Sequence, residues 1–484
     1  MHKNIIIKVL ALLSLLSFFA CGSGSGGSGD SGAFLLPPKL TSVDPVSNDS
    51  SALLGAAILA IFDKNMRAAM DSTFVVYGSQ TGKLAGTYTG GGSDTLRFDP
   101  DNRFKIGEKI EVILTDMLTS TQGVALGSPF VYRFRSEALG GTADFEAADT
   151  IAGQTDASGL AAGDWDDDGD IDLASANRGG NRVDILINDG TGDFTVVDTI
   201  ASQTNASGLA AGDWDGDGDL DLASANGGGN RVDVLINDGT GDFTAVDTIA
   251  NQTGAQAVVA GDWDGDGDLD LAAANGGANR VDILVNDGTG DFTAADTIGS
   301  QSTVQELTCG DWDGDGDLDL AAANSGASRV DILINDGTGA FSIADTVAGQ
   351  TNVQGVDAGD WDGDGDLDLA AANFGGNRVD ILVNDGTGIF AIGDIIPGQT
   401  NAQAVTSGDW DGDGDLDLAS ANRAASSVEI LINNGIGDFT AADTIPNQTN
   451  TEALAAGDWD GDDDLDLASA NFGGNRVDTL ENQP

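Results

Sequence analysis

The chain has 484 residues and a formal net charge of −59, from 79 acidic against 20 basic side chains. That balance excludes a nucleic-acid surface, which is held through cationic contacts to phosphate, and electrostatic docking on anionic lipid. Acidity alone can signal disorder, but 40% hydrophobic residues in orderly alternation mark a folded chain whose charge is gathered into loops.

Residues 1–20 read as an export signal: Lys3 and Lys8 supply positive charge, Val9 to Ala20 is apolar, and Ala20 precedes Cys21. The apolar run is too short for a comfortable transmembrane helix. Cys21, followed by the flexible Gly/Ser-rich residues 21–35, resembles a bacterial lipoprotein signal, which implies a lipidated Cys21. An ordinary cleaved secretory peptide is the alternative. The expected destination is the cell envelope, as an outer-membrane or surface lipoprotein touching the membrane through its lipid anchor only. Cys309 is the one other cysteine, so no disulfide framework is expected. It stands where other repeats have Ala or Ser and reads as a small buried residue. His2 is the sole histidine and lies in the signal, which leaves no His-based triad and no His-ligated zinc.

Residues 36–137 carry β-rich runs at Thr73–Tyr77, Thr95–Phe98, Lys109–Thr115 and Phe130–Phe134, punctuated by Gly, Asp and Pro. These predict a small antiparallel sandwich, with Ala56–Phe62 read as strand although its propensity allows helix. The segments at Phe62–Met66, Phe98–Leu114 and Pro129–Phe134 resemble bacterial Ig-like domains. No site is visible here, and a stalk or spacer is expected.

Residues 138–484 are governed by a 49-residue repeat whose hallmark is one acidic loop in seven copies. Its aspartates are Asp164, Asp166, Asp168, Asp170 and Asp172 in the first copy, and Asp213, Asp215, Asp217, Asp219 and Asp221 in the second. Asp262, Asp264, Asp266, Asp268 and Asp270 form the third set, and Asp311, Asp313, Asp315, Asp317 and Asp319 the fourth. The fifth and sixth hold Asp360, Asp362, Asp364, Asp366 and Asp368, then Asp409, Asp411, Asp413, Asp415 and Asp417. The last holds Asp458, Asp460, Asp462, Asp464 and Asp466. Carboxylates this crowded repel one another unless a cation sits among them.

The second copy shows the unit: strand Leu209–Trp214, the loop, strand Leu220–Ala225, a Gly-rich turn, strand Val232–Asn237, an Asp-Gly hairpin turn and strand Phe243–Ile249. Four short antiparallel strands per repeat predict a propeller blade. The last copy stops after its third strand, at Val477–Leu480, and the missing piece stands before the first loop as Asp144–Ile151. The predicted fold is therefore all-β: a seven-bladed propeller closed by an N-terminal strand, preceded by the small sandwich. Closure removes strand edges that invite aggregation.

In each loop, positions one, three, five and nine present carboxylates, position seven can offer its carbonyl, and the glycine at six permits the bend. Oxygen donors without nitrogen or sulfur favour Ca²⁺, up to seven ions, over Mg²⁺ or Mn²⁺. An EF-hand is set aside because position twelve is Ser224 and strands flank the loop. The WD repeat is set aside because its Gly-His element is missing. The loop resembles the FG-GAP or VCBS repeat of integrin α-subunit propellers, whose DxDxDGxxD element lies between two strands of a blade. The resemblance covers about 340 residues and implies structural calcium. Two departures stand out: Asp167 adds a charge to the first loop, and Asp463 replaces the glycine at position six of the last, predicting backbone strain there. Occupancy of each site at ten times Kd would add roughly 1.4 kcal/mol, so chelation is expected to loosen the ring.

The tryptophan at position two of every loop is read as packing between blades, and the arginine before the third strand of six blades as a structural ion pair. The repeats differ mostly on the face opposite the metal loops, at turns such as Asn177-Arg178-Gly179, Asn373-Phe374-Gly375 and Asn422-Arg423-Ala424. A protein or glycan ligand is expected there. The leading expectation is a monomeric, calcium-stabilised binding or adhesion module of the cell envelope. A lectin, or a polysaccharide lyase or hydrolase on the same propeller, is the alternative. A catalytic site should break the repeat symmetry with a unique polar cluster. None is visible, so no enzyme is expected.

Overall fold

The computed structural model describes residues 36–483. The export signal, the Gly/Ser linker and the lipidation of Cys21 fall outside the described residues. Among the described residues no helix is long and apolar enough to cross a membrane.

Seven four-stranded antiparallel sheets follow the repeat. The second blade runs Ala206–Gly212, Asp221–Asn226, Arg231–Asn237 and Phe243–Ala250, each strand pairing with the next. The first strand starts three residues earlier than expected, because a bulge between Ala206 and Gly208 keeps it paired to Asn226. First strands of successive blades touch one another, from Ala157–Gly163 onward to Thr451–Gly457, and that last one touches the first again. They form the inner wall around an axis.

The final sheet takes its outer strand from the other end of the propeller. Phe145–Ala152 pairs antiparallel with Arg476–Asn482, Val477 facing Ile151 and Asn482 facing Phe145. The second strand of each blade is buried at every position, as in Asp221–Asn226. Its small Leu-Ala-Ser/Ala-Ala pattern lets neighbouring sheets approach closely, whereas the outer strand buries only Phe243 and Ile249.

Two contacts repeat between blades. Each loop tryptophan is fully buried and meets the outer-strand phenylalanine of the following blade edge-on: Trp165 on Phe243, Trp410 on Phe145 and Trp459 on Phe194 lie at 5.8, 5.9 and 5.8 Å between ring centroids. Such pairs contribute about 0.5–1.5 kcal/mol beyond area burial. The asparagine ending each third strand donates its amide to the tryptophan carbonyl of the preceding blade, at 2.8 Å for Asn237 to Trp165, Asn188 to Trp459 and Asn482 to Trp410. The expected ion pairs form too, Arg231 to Asp233 at 2.8 Å being typical.

The N-terminal sandwich has two four-stranded sheets. In one, Ile58–Phe62 alternates between buried and half-buried positions. In the other, Phe74–Gly78 is buried throughout, and Lys109–Leu114 at all but its first residue. The cause is contact on both faces. Phe74, Val76, Ile110 and Val112 fill the sandwich core, while Val75, Tyr77, Ile113 and Val131 share a hydrophobic cluster with Trp214, Leu269 and Leu318 of the propeller. The sandwich is therefore seated on the loop face of the disc. A stalk or spacer was expected from the sequence, and packing against the propeller was not foreseen.

Replacing Trp214 by Ala should lower the unfolding free energy by about 3–5 kcal/mol. Thr244→Ala on the exposed outer strand should stay within about 0.5 kcal/mol, both read by chemical denaturation.

Candidate metal centre

Each acidic loop is built around two anchored carboxylates. At position one, Asp213 accepts the amides of Gly216 at 2.8 Å and Gly218 at 3.2 Å. At position nine, Asp221 accepts the amides of Trp214 at 2.9 Å and Asn237 at 2.8 Å, tying the loop to the third strand. Left-handed bends at Gly216 (φ 76°) and Gly218 (φ 103°) turn the chain tightly enough to bring these groups together.

The result is convergence. Carboxylate oxygens of positions one, three and nine lie within 4.8 Å of one another in Asp164/Asp166/Asp172, Asp213/Asp215/Asp221, Asp262/Asp264/Asp270 and Asp360/Asp362/Asp368. In the fourth loop the group is Asp311, Asp313 and Asp315. Among the described residues a basic side chain pairs with a loop carboxylate only at Lys105 and Asp164, 3.5 Å apart. One position-three oxygen, Oδ1, is buried without a hydrogen-bond partner in Asp166, Asp313 and Asp460. Acidic oxygens that face one another, lack a base and lack a donor fit a hard divalent cation, which would supply the missing positive charge.

Position seven behaves differently from its fellows. The carboxylates of Asp170, Asp219, Asp268, Asp317, Asp366 and Asp415 lie beside the first glycine of their own blade's hairpin turn, where a Cβ on Gly239 would come within 2.6 Å of Asp219. They stand outside the groups above, and what position seven can turn to a cation is its carbonyl. The seventh loop departs again. Its blade has no such hairpin, and the carboxylate of Asp464 is buried with neither oxygen bonded. Burial, then the neighbouring Asp462, pushes it up to about 7. Asp463 adopts φ 74°, as the loss of glycine predicted, and Asp167 in the first loop adopts φ 60°.

Burial raises the anchored carboxyls in every loop, because the charged form loses its water. At position one, Asp213, Asp311, Asp409 and Asp458 move up to about 6. At position nine, Asp172, Asp221, Asp368 and Asp417 reach about 8, and Asp319 and Asp466 about 9. Asp262 is raised well above the usual range by burial and then by Glu111 of the sandwich.

The loops also carry the seat of the sandwich. The position-six carbonyl accepts a bond from it in five blades: Gly169 from Lys105, Gly267 from Tyr77, Gly316 from Val131, Gly365 from Asn48 and Gly414 from Ser50, while Asp463 accepts from Leu139, just past the end of the sandwich. Gly218 of the second blade instead lies against Gly82.

A symmetry-breaking polar cluster does exist, contrary to the sequence expectation. On the inner strands of blades four to six, Cys309, Asp357 and Ser407 replace residues that are mostly Ala elsewhere, and they meet Arg133, Lys109 and Arg135 of the sandwich. Arg133 also pairs with Glu111 through Nε at 2.8 Å and reaches the carbonyl of Ala260 at 3.0 Å. Asp357 accepts the amide and hydroxyl of Ser407 at 2.8 and 2.7 Å. Of these, Cys309, Ser407, Arg133, Lys109, Arg135 and Glu111 border a cavity of ≈420 Å³ beside the inner strands. Cys309 is a small buried residue, as expected, with the further role of accepting from Arg133 at 2.8 Å.

A family model described as FG-GAP-like repeat matches six overlapping segments, 164–224, 213–273, 262–322, 311–371, 360–420 and 409–469, each spanning one acidic loop and the next. The chain belongs to the FG-GAP-like repeat family. A bacterial Ig-like domain model matches residues 36–136, the sandwich. No curated protein matches the FG-GAP repeat chain. Among solved structures it is similar to BBS1N in complex with ARL6DN, with TM-score 0.52 at 13% identity over 71% of this chain and 98% of that one. A protein from Lactobacillus plantarum gives TM-score 0.47 at 14% identity, over 78% and 97%. A lectin from Agrocybe aegerita that recognises non-reducing terminal N-acetylglucosamine gives 0.42 at 17%, over 86% and 97%. At these identities the likeness concerns the fold.

Raised carboxyl pKa values set a sign. Below about pH 4, the ordinary carboxylate range, these groups are protonated in both states and their contribution to stability is fully present. It is lost as pH rises through the folded values of about 6 at position one and about 8 at position nine. In chelator, the melting temperature should therefore fall between pH 4 and 9, and the gain on adding Ca²⁺ should grow across the same window. Thermal denaturation over a pH series checks this.

Proposed function

We propose that this protein is an exported, calcium-stabilised binding or adhesion module whose partner meets the face bearing the variable turns. The observation that carries the reading is the seat of the sandwich. It covers the loop face in the centre and bonds to the position-six carbonyls of five blades, so the opposite face is the broad one left for a protein or glycan. That face is where the blades differ: Phe374 and Phe472 are half-buried at equivalent turns, Arg178 is exposed, and Arg423 pairs with Glu452 at 3.0 Å. Aromatic rings and arginines surrounded by small residues suit recognition of a partner surface. Ca²⁺ held by the loops would act as a structural ion, neutralising carboxylates that also fix the strand ends.

A non-catalytic role agrees with the polar cluster on the axis. Its charged groups are committed to one another and to the domain contact, as Asp357 is to Ser407, leaving no paired acid and base free for a substrate. Export and a lipid anchor at Cys21 follow from the signal pattern alone.

The test is a calcium-titrated screen of the full mature chain against matrix proteins and glycans. Phe374→Ala with Phe472→Ala should weaken a captured partner at least about tenfold, a loss of ~1.4 kcal/mol, without changing the melting temperature in calcium. Product release from a polysaccharide panel would sink the reading in favour of a lyase or hydrolase.

A further inference from the structure

We propose that the Ig-like domain is held on the propeller by the cation-binding loops themselves, so that its seating responds to calcium. The inference rests on the reading of the loops as calcium sites and goes beyond it, since a stabilising ion need not control a domain contact.

In the fourth, fifth and sixth loops one residue carries both ends of the link. The position-six peptide gives its N–H to the position-one carboxylate and its carbonyl to the Ig-like domain. In the fourth blade Gly316 donates to Asp311 at 3.0 Å and accepts from the Val131 amide at 2.7 Å. In the fifth, Gly365 donates to Asp360 at 2.9 Å and accepts from the Asn48 amide at 3.1 Å. In the sixth, Gly414 donates to Asp409 at 3.0 Å and accepts from the Ser50 hydroxyl at 3.1 Å. The carboxylate that would hold the cation therefore orients the peptide plane that receives the domain. Gly316, Gly365 and Gly414 sit at φ 94–97°, a bend that is easily lost when the carboxylates around it repel one another.

Geometry makes the coupling collective. The donors are spread over several strands and loops of one rigid sandwich, so all the carbonyls must point upward together for it to sit flat. Coupling of two equilibria is reciprocal: if calcium favours seating, seating favours calcium. Release of the domain would open the cavity of ≈420 Å³ from the loop side, exposing Arg133, Arg135 and Lys109.

Hydrogen exchange on the full mature chain, followed across a calcium titration, tests this. The Val131 amide, bonded to Gly316, should lose roughly tenfold in protection at calcium levels where Leu222 of a blade core and Val112 of the sandwich core stay protected. In a second arm, Asn48→Ala, Ser50→Ala and Tyr77→Phe together leave every loop carboxylate intact and should raise the calcium midpoint roughly fivefold, read by calorimetry. Protection of Val131 that outlasts verified calcium release, or that vanishes only with Leu222, overturns the coupling and spares the calcium reading, as does an unchanged midpoint in the triple variant. Absence of calcium binding overturns both.

Discussion

The structure depends on keeping acidic side chains close together in a place with little water. Positions one and nine of each loop are buried or nearly so, and their oxygens already hold backbone amides that define where the strands begin. An ionised carboxylate in such surroundings needs positive charge nearby, and among the described residues a paired base stands at one loop only, through Lys105. A hard cation would resolve this and make the loop geometry, the tryptophan contact and the inner wall compatible. The raised carboxyl pKa values state the same conflict in the currency of protons.

Around that constraint the blades are joined by apolar area and a few directed bonds. Each tryptophan carries its own blade's loop into the next blade, and the asparagine at the end of the third strand returns a bond to it. The indole N–H is buried without an acceptor in all seven copies, so area and the edge-on ring contact are what hold the side chain. Loop, ring contact and asparagine are thus one unit, copied around the axis.

Much of this was legible in the residues. The 49-residue spacing, the Asp-Gly turns and the displaced Asp144–Ile151 segment specify blades and their joining, because repeat period and turn chemistry are local properties. The loop aspartates were legible as a group but not one by one: the turning of position seven toward the hairpin depends on a neighbour twenty residues away, as with Asp219 and Gly239. The Ig-like domain was legible as a sandwich, but its packing on the propeller was not foreseen. Its signal was present in the near-continuous apolar runs of Phe74–Gly78 and Lys109–Leu114, which mark a sheet covered on both faces. The axial cluster escaped notice because Cys309, Asp357 and Ser407 belong to different repeats and gain meaning only when Arg133, Lys109 and Arg135 arrive from another domain.

The shared final blade has a consequence for how the protein is made. Phe145–Ala152 emerges in synthesis more than 300 residues before its partner Arg476–Asn482, so the ribbon waits unpaired while the intervening blades are made. A waiting edge is a hazard for mispairing with sister chains. Glu146 and Asp149 put charge on that ribbon, and its middle is the least apolar part. The segment is thereby kept solvated until its proper mate arrives, and pairing with that distant strand joins the first repeat to the seventh.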